Sequence, residues 1–411
     1  MSPKPRSPRF VESIRSVVKF GPIEWDRTTR RLSRAADIGD LRRLARRRLP
    51  RGVFDYIDGA AETESALRRN SDAFDAYTFR PRVMRDMTGV DATTTLLGKE
   101  IPLPLVLAPT GFTRIADPEG ELAVARAAGA IGLPYALSTL STRSIEEVAA
   151  VATGPLWFQV YTWRDRGLVK SMIERAQQAG YEALVLTVDS AVLGRRQRDV
   201  RRGFTLPPKI GLSTIVDGIL HPGWTWDLIR SEPISFANVV GHHDVDGSDA
   251  VSLASIVNEQ FDPTLSWDDL EWMRSVWNGP IVLKGIQTVD DARIAADLGV
   301  EAIALSNHGG RQLDDAPAIL DLVPPVVDAV GDRTEVICDG GIRRGSDIVK
   351  AVALGAKACM AGRAYLYGLG AAGERGVAHA LGILDADVRR TMALIGCGTV
   401  AGLDTTYLQA G

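Results

Sequence analysis

The chain has 411 residues, of which 45% are hydrophobic and 24% charged, with a net charge of −3. That is the composition of a folded globular protein with ample length for a large core, and it excludes disordered, collagen-like and disulfide-stapled classes. Cys338, Cys359 and Cys397 are too widely spaced for a zinc site and read as reduced cytosolic thiols. No apolar run of about 18 residues marks a membrane-spanning helix, and no apolar segment after Met1–Lys4 marks a secretory leader.

Residues 1–51 hold 15 Lys/Arg against 5 Asp/Glu, a net of +10, which leaves −13 for the remainder. Residues 1–36 show little periodicity and are expected to form a basic N-terminal arm, extended rather than folded. Residues 37–405 are then expected as one domain. A helix is predicted over Asp40–Leu49, with Arg42, Arg43, Arg46, Arg47 and Arg48 among Leu41, Leu44, Ala45 and Leu49. This is the pattern of a solvated basic face, and without interleaved aromatics it does not point to nucleic acid. A second helix is predicted around Val53–Asp58.

From Leu103 onwards short apolar runs alternate with Ala-rich amphipathic segments. The runs are Leu103–Ala108, Leu133–Leu137, Leu156–Val160, Ala183–Val188, Ile281–Leu283, Ala302–Leu305, Glu335–Cys338 and Ala358–Ala361. They lack polar alternation, as strands buried on both faces should. Helices are predicted between them at Glu119–Ala130, Ser144–Ala152, Gly167–Ala179, Asp290–Leu298 and Ser346–Leu354. Ser144 and Glu147 fit a capping box. Strands and helices in this alternation predict an α/β fold, a TIM (β/α)8 barrel with an N-terminal helical arm. The gap after the fourth strand is far too long for one αβ unit, so residues 205–263 are expected as a mobile loop insertion.

A barrel carries its site at the C-terminal ends of its strands. Those ends read Pro109-Thr110-Gly111, Ser138, Gln159 with Tyr161, Thr187 with Asp189, Lys284, Ser306 with His308 and Arg311, Asp339-Gly340-Gly341, and Gly362-Arg363. Nearly every strand closes on a polar or charged group, which a purely structural barrel does not need. Asp339-Gly340-Gly341-Ile342-Arg343 and Gly362-Arg363 offer bare backbone N–H groups and guanidinium where barrels hold phosphate. Gly368-Leu369-Gly370-Ala371-Ala372-Gly373 matches a dinucleotide fingerprint, but it lies in a helical pattern after the last strand, and no further strand follows. Lys284 can form a Schiff base or act as a cation beside a cofactor. His308, with Asp189 to orient it and Arg311 to hold a carboxylate, fits a general base.

Together these strand-end residues resemble the FMN-dependent L-2-hydroxy-acid oxidase and dehydrogenase family. Ser306-Asn307-His308-Gly309-Gly310-Arg311-Gln312-Leu313-Asp314 is close to its signature, and the likeness runs from about Ile38 to Leu403. The arm and a Trp-bearing loop are most similar to the actinobacterial L-lactate dehydrogenase-like branch. The resemblance implies that His308 takes a proton from the substrate and that Asp189 stabilises its imidazolium. It implies that Arg311, Arg196 and the Tyr56 hydroxyl grip the carboxylate, with Tyr161 near the reacting oxygen. Lys284 would stabilise the reduced flavin. Pro109, Thr110, Gly111, Ser138, Gln159, Thr187 and Ser306 would line the isoalloxazine and ribityl chain. Asp339, Gly340, Gly341, Arg343, Gly362 and Arg363 would hold the ribityl and phosphate end, and no metal is implied.

Gly111 stands where many oxidases of this family have alanine, and Leu140 where glycolate oxidase has tryptophan over the substrate. Both favour a dehydrogenase of L-lactate, passing electrons to a quinone, a cytochrome or O₂. The alternatives are an O₂-reducing oxidase of a larger substrate, mandelate-like or a modified peptide, and a phosphate-binding barrel lyase or isomerase. The resemblance implies a cytoplasmic homo-oligomer, a tetramer in many relatives. The stretch Ile215–Leu220 and His221–Ile229, with Trp224 and Trp226, suggests a loop that touches the inner face of the cell membrane where a quinone resides.

Overall fold

The computed structural model describes residues 24–202, 212–239 and 260–411. It divides into two compact units, Met1–Ala36 and Asp37–Gly411. Residues 1–23 of the basic arm lie outside the described part. Residues 24–36 hold a short helix, Arg27–Leu32, which begins where the Asp26 carboxylate accepts the Thr28 amide. The expectation of an extended arm is therefore corrected there.

In the second unit all eight expected strands form and close into one barrel. They are β1 (Leu105–Leu107), β2 (Tyr135–Ser138), β3 (Leu156–Tyr161), β4 (Ala183–Thr187), β5 (Ile281–Ile286), β6 (Ala302–Ser306), β7 (Glu335–Asp339) and β8 (Ala358–Ala361). Each pairs in parallel with its chain neighbour, and β8 returns to β1. Every strand residue except Glu335 is buried, which is why the runs are continuously apolar. Inside the barrel Ala136, Ala183, Ala302, Ala304 and Ala358 leave room for Trp157 and Met360. A hairpin of Thr94–Leu96 and Lys99–Ile101 adds Leu96 and Ile101 to that core, and its Leu97 amide donates to Glu335 at the N-terminal end of β7. The hairpin thus closes the end of the barrel opposite the site.

Predicted helices appear within one or two residues, at Ile38–Arg48, Arg51–Asp58, Glu121–Gly129, Ile145–Val151, Arg166–Gln178, Val289–Asp297 and Gly345–Ala353. The Ser144–Glu147 capping box is formed. Helices Ser65–Asp75 and Ile319–Val330 were not anticipated, the latter because Pro324 and Pro325 interrupt its pattern. The glycine-rich Gly368–Gly373 segment lies within helix Arg363–Ile395, with no strand beside it.

The insertion departs from the expected loop. Helices Leu212–Leu220 and Pro222–Arg230 occupy its middle, the second started by Pro222 in its first turn. The apolar residues there recur at helical rather than loop spacing. Residues 203–211 and 240–259 lie outside the described part.

Candidate active site

Strand register assembles the site. Ser138 lies beside Gln159, Tyr161 beside Thr187, Thr187 beside Lys284, and Ser306 beside Asp339. A cleft of about 1260 Å³, measured out to solvent, opens above this ring. Its walls include Tyr56, Pro109, Thr110, Gly111, Ser138, Leu140, Tyr161, Arg196, Lys284, His308 and Arg311, and its far end Asp339, Gly340, Gly341, Arg343, Gly362 and Arg363. Gln159, Thr187 and Ser306 are buried beneath the wall rather than part of it, and Asp189 stands behind His308.

The Lys284 ammonium donates to Ser306 Oγ at 3.1 Å and pairs with Asp339 Oδ2 at 3.0 Å; Ser306 Oγ in turn donates to Asp339 Oδ2 at 2.8 Å. Burial opposes the cation, but Asp339 and Asp189 outweigh it and raise the Lys284 pKa above the ordinary lysine value. A Schiff-base lysine needs the opposite shift, so Lys284 is built as a fixed positive charge. That arrangement speaks against the lyase alternative.

His308 Nδ1 lies 3.0 Å from Asp189 Oδ1, and its amide donates to Ser306 Oγ at 3.0 Å. Burial alone would raise the Asp189 carboxyl, yet the charge and hydrogen bond of His308, with Lys284 behind, hold it below the usual range. An ionised Asp189 accepts from Nδ1–H, which assigns the basic electron pair to Nε2. The chain turns sharply to present the ring: φ is +59° at His308, +62° at Gly309 and +75° at Gly310.

Arg311 is half-buried beside Tyr56, its guanidinium 5.1 Å from that ring's centre, with Arg196 at 5.2 Å from the same ring. Its Nη1 donates to the carbonyls of Tyr56 and Gly59 at 2.7 and 3.1 Å. Burial, reinforced by the Arg196 charge, pushes the Arg311 pKa down to about 9. A desolvated cation of this kind gains from an arriving carboxylate. Burial and the Asp189 charge also raise the Tyr161 phenol, which therefore stays protonated as a donor.

Gln159 Nε2 and Thr187 Oγ1, buried at the strand ends, have no hydrogen-bond partner among the described residues. An orphaned donor and hydroxyl beneath a cleft beside a lysine cation fit the polar edge of a flavin ring. The other end fits a phosphate: helix Arg363–Ile395 starts at Gly362 with no side-chain cap, so its first N–H groups are available. The arginines there are partly engaged. Arg363 donates to the carbonyls of Ile57, Gly309 and Gly59, and Arg343 Nη1 to that of Ile342. Arg363 thus also fastens the Arg51–Asp58 helix end to the His308 loop.

Sequence reading missed the residues that hold these groups in place. Asn70 and Asn307 exchange amide hydrogen bonds at 2.7 and 2.9 Å. Gln312 Nε2 donates to Ser190 Oγ and the Asp189 carbonyl, while its Oε1 accepts from the Gly194 amide. Asp58 takes Arg42, Arg198 and the Tyr367 hydroxyl. Gly285, at φ +112° in a bulge of β5, lies against Asp189. None of them carries a reactive signature of its own.

The family model described as FMN-dependent dehydrogenase matches residues 45–410. A putative L-lactate dehydrogenase of Mycobacterium tuberculosis is 47% identical over 392 residues, covering 95% of this chain and 93% of that one. An L-lactate dehydrogenase of Caulobacter vibrioides is 43% identical, over 90% of this chain and 96% of its own length. Among solved structures, that of the monotopic membrane protein (S)-mandelate dehydrogenase superposes with a TM-score of 0.88 at 39% identity, covering 91% of this chain and 99% of that one. The chain belongs to the FMN-dependent dehydrogenase family. It is an FMN-dependent oxidoreductase of 2-hydroxy acids.

Proposed function

We propose that the protein oxidises L-lactate to pyruvate, with His308 as the general base. The observation that carries this reading is the His308–Asp189 pair on the same cleft as Arg196, Arg311 and Tyr56. When bound, FMN would accept the substrate's α-hydrogen together with its two electrons; Gln159, Thr187 and Lys284 would hold its ring, and the Gly362 helix start with Arg343 and Arg363 its phosphate. Arg311 and Arg196 bind the carboxylate, which fixes the α-carbon over the strand ends. His308 Nε2 takes the hydroxyl proton, and Asp189 offsets the imidazolium charge. Tyr161 donates toward the reacting oxygen. Lactate is favoured over bulkier acids by the L-lactate dehydrogenase relatives.

The test is anaerobic. Purified protein should be yellow and should bleach with L-lactate, while His308→Ala should keep FMN and lose bleaching at least about 10⁴-fold. Turnover retained by His308→Ala would remove it as the base. Bleaching by (S)-mandelate but not L-lactate would move the substrate to the larger class.

We further propose peripheral attachment to the inner face of the cell membrane, with quinone as acceptor. Ile215, Val216, Ile219, Leu220, Trp226 and Ile229 are all exposed on helices Leu212–Leu220 and Pro222–Arg230. Exposed Arg46 and Arg51 share a cleft with Leu220 and His221 at the edge of that patch. Apolar side chains rimmed by arginine suit an anionic bilayer. Among the described residues no helix is long and apolar enough to cross a membrane.

A further inference from the structure

Asp199 is a buried carboxylate for which the proposed reaction has no use. It lies on helix Gln197–Arg202 at 5% exposure, with Oδ2 only 2.6 Å from Arg196 Nε. Neither of its oxygens receives an aligned hydrogen bond from the described residues, so charge holds it there. Burial pushes the Asp199 carboxyl above the usual carboxylate range, and the Arg196 and Arg311 charges oppose that shift. At contact distance from the Arg196 guanidinium, Asp199 is the anionic partner of that pair.

The other charges around the cleft are already matched. Lys284 is paired with Asp339, and His308 with Asp189. Arg343 and Arg363 lie at the end read above as the phosphate site, and Asp55 faces Arg198 at 3.6 Å. The substrate end is left with Arg196 and Arg311 at +1 each and Asp199 at −1, a net of +1. One substrate carboxylate neutralises it. Leu140 and Phe261 on the same cleft offer no cation to a second carboxylate.

We infer that Asp199 is a specificity-determining residue: it sets the charge of the substrate end to accept hydroxy acids with one carboxylate and to disfavour those with two. The inference rests on the reading of Arg196 and Arg311 as the carboxylate grip. A unit charge about 10 Å away in an effective dielectric of about 20 changes affinity roughly tenfold.

The test compares L-2-hydroxybutyrate with L-malate on FMN-loaded enzyme, two four-carbon acids that differ in a terminal methyl against a carboxylate. Asp199→Asn should raise the malate-to-hydroxybutyrate ratio of kcat/KM about tenfold, and Asp199→Glu should leave it at the wild-type value. A purely structural role for Asp199 would lower both substrates together and leave the ratio unmoved, which overturns the inference. Arg196→Met separates the two layers of argument. If it leaves KM for both acids unchanged, the grip itself fails and the inference with it. If KM rises while the Asp199→Asn ratio stays flat, the inference alone fails. Should Asp199→Asn not fold, wild-type inhibition decides: butyrate must compete with L-lactate about tenfold more tightly than succinate, and equal inhibition constants overturn the charge match.

Discussion

Gly285 lies against Asp189, behind the residue proposed as the base. It follows Lys284 in a bulge of β5, and a Cβ built on it would lie 2.8 Å from Asp189 Cβ and 2.9 Å from the Asp189 amide. At φ +112° a side chain is also strained whatever the space. The bulge lets Asp189 come close behind His308 while Lys284 still points into the barrel. Gly285→Ala should therefore displace Asp189 and cost about 100-fold in kcat, because a misplacement of about 1 Å at a reacting group has that effect. FMN content measured by absorbance should stay near wild type, since Gln159 and the Gly362 helix start lie on other strands. Full activity in Gly285→Ala would show that Asp189 can move without consequence to the base.

Residue chemistry of this kind was only half legible in the sequence. His308, Arg311, Asp189 and Lys284 stand out because each carries a reactive group where a buried apolar run stops. Asn70, Gln312 and Gly285 have no such mark; their importance comes from which backbone lies opposite them, and only the closed barrel decides that. The eight strands were legible because burial on both faces leaves continuous aliphatic runs. The insertion was not, because its Gly, Pro, His and Asp content reads as loop while its apolar residues recur at helical spacing.

At the scale of elements, the helix Ser65–Asp75 is tied to the His308 loop through its N-terminus. Its N-cap, Glu64, makes no capping bond. Asp314, the last residue of the signature stretch, does this instead: its carboxylate accepts from the Thr63 and Ala66 amides and from the Thr63 and Ser65 hydroxyls. Burial pushes the Asp314 carboxyl up more than any one hydrogen bond lowers it, but the hydrogen bonds together prevail and hold it far below the usual range. A carboxyl depressed on folding stabilises above its unfolded pKa of about 3.9, and that stability is lost as pH falls through the lower folded value. Asp314→Asn, which keeps one acceptor of two, should cost about 1 kcal/mol at pH 7, as loss of a helix cap does. The melting-temperature gap from wild type should be widest near neutral pH and close progressively below about pH 4. A gap independent of pH would mean that Asp314 acts through shape rather than charge.

At the scale of the molecule, the insertion helices pack against the barrel through polar contacts and turn apolar side chains outward. Trp224 donates its indole N–H to the Ile115 carbonyl at 2.8 Å, and Arg48 bridges Asp117 and Asp227 at 3.0 Å each. Asp217 accepts the Arg51 amide. With the polar face spent inward, exposed Ile219 and Ile229 lie on the opposite side, at 70% and 71% exposure. Large apolar side chains left in water at that density mark a surface that is covered in use. The cover could be a bilayer or a second copy of the chain, and the two make different demands. A bilayer rewards the arginine rim by about 1 kcal/mol per residue and loses that gain in high salt, whereas an apolar dimer contact does not. Holoenzyme should therefore sediment with vesicles rich in phosphatidylglycerol and not with neutral ones, and 0.5 M salt should release it, as expected for roughly 3 Å screening lengths near 1 M. The double variant Ile219→Glu, Ile229→Glu should lose vesicle binding at least about tenfold while retaining L-lactate oxidation with a soluble acceptor. If instead the double variant breaks an oligomer seen by light scattering and sediments with vesicles as before, the patch is an interface between copies and the acceptor must reach the flavin by another face.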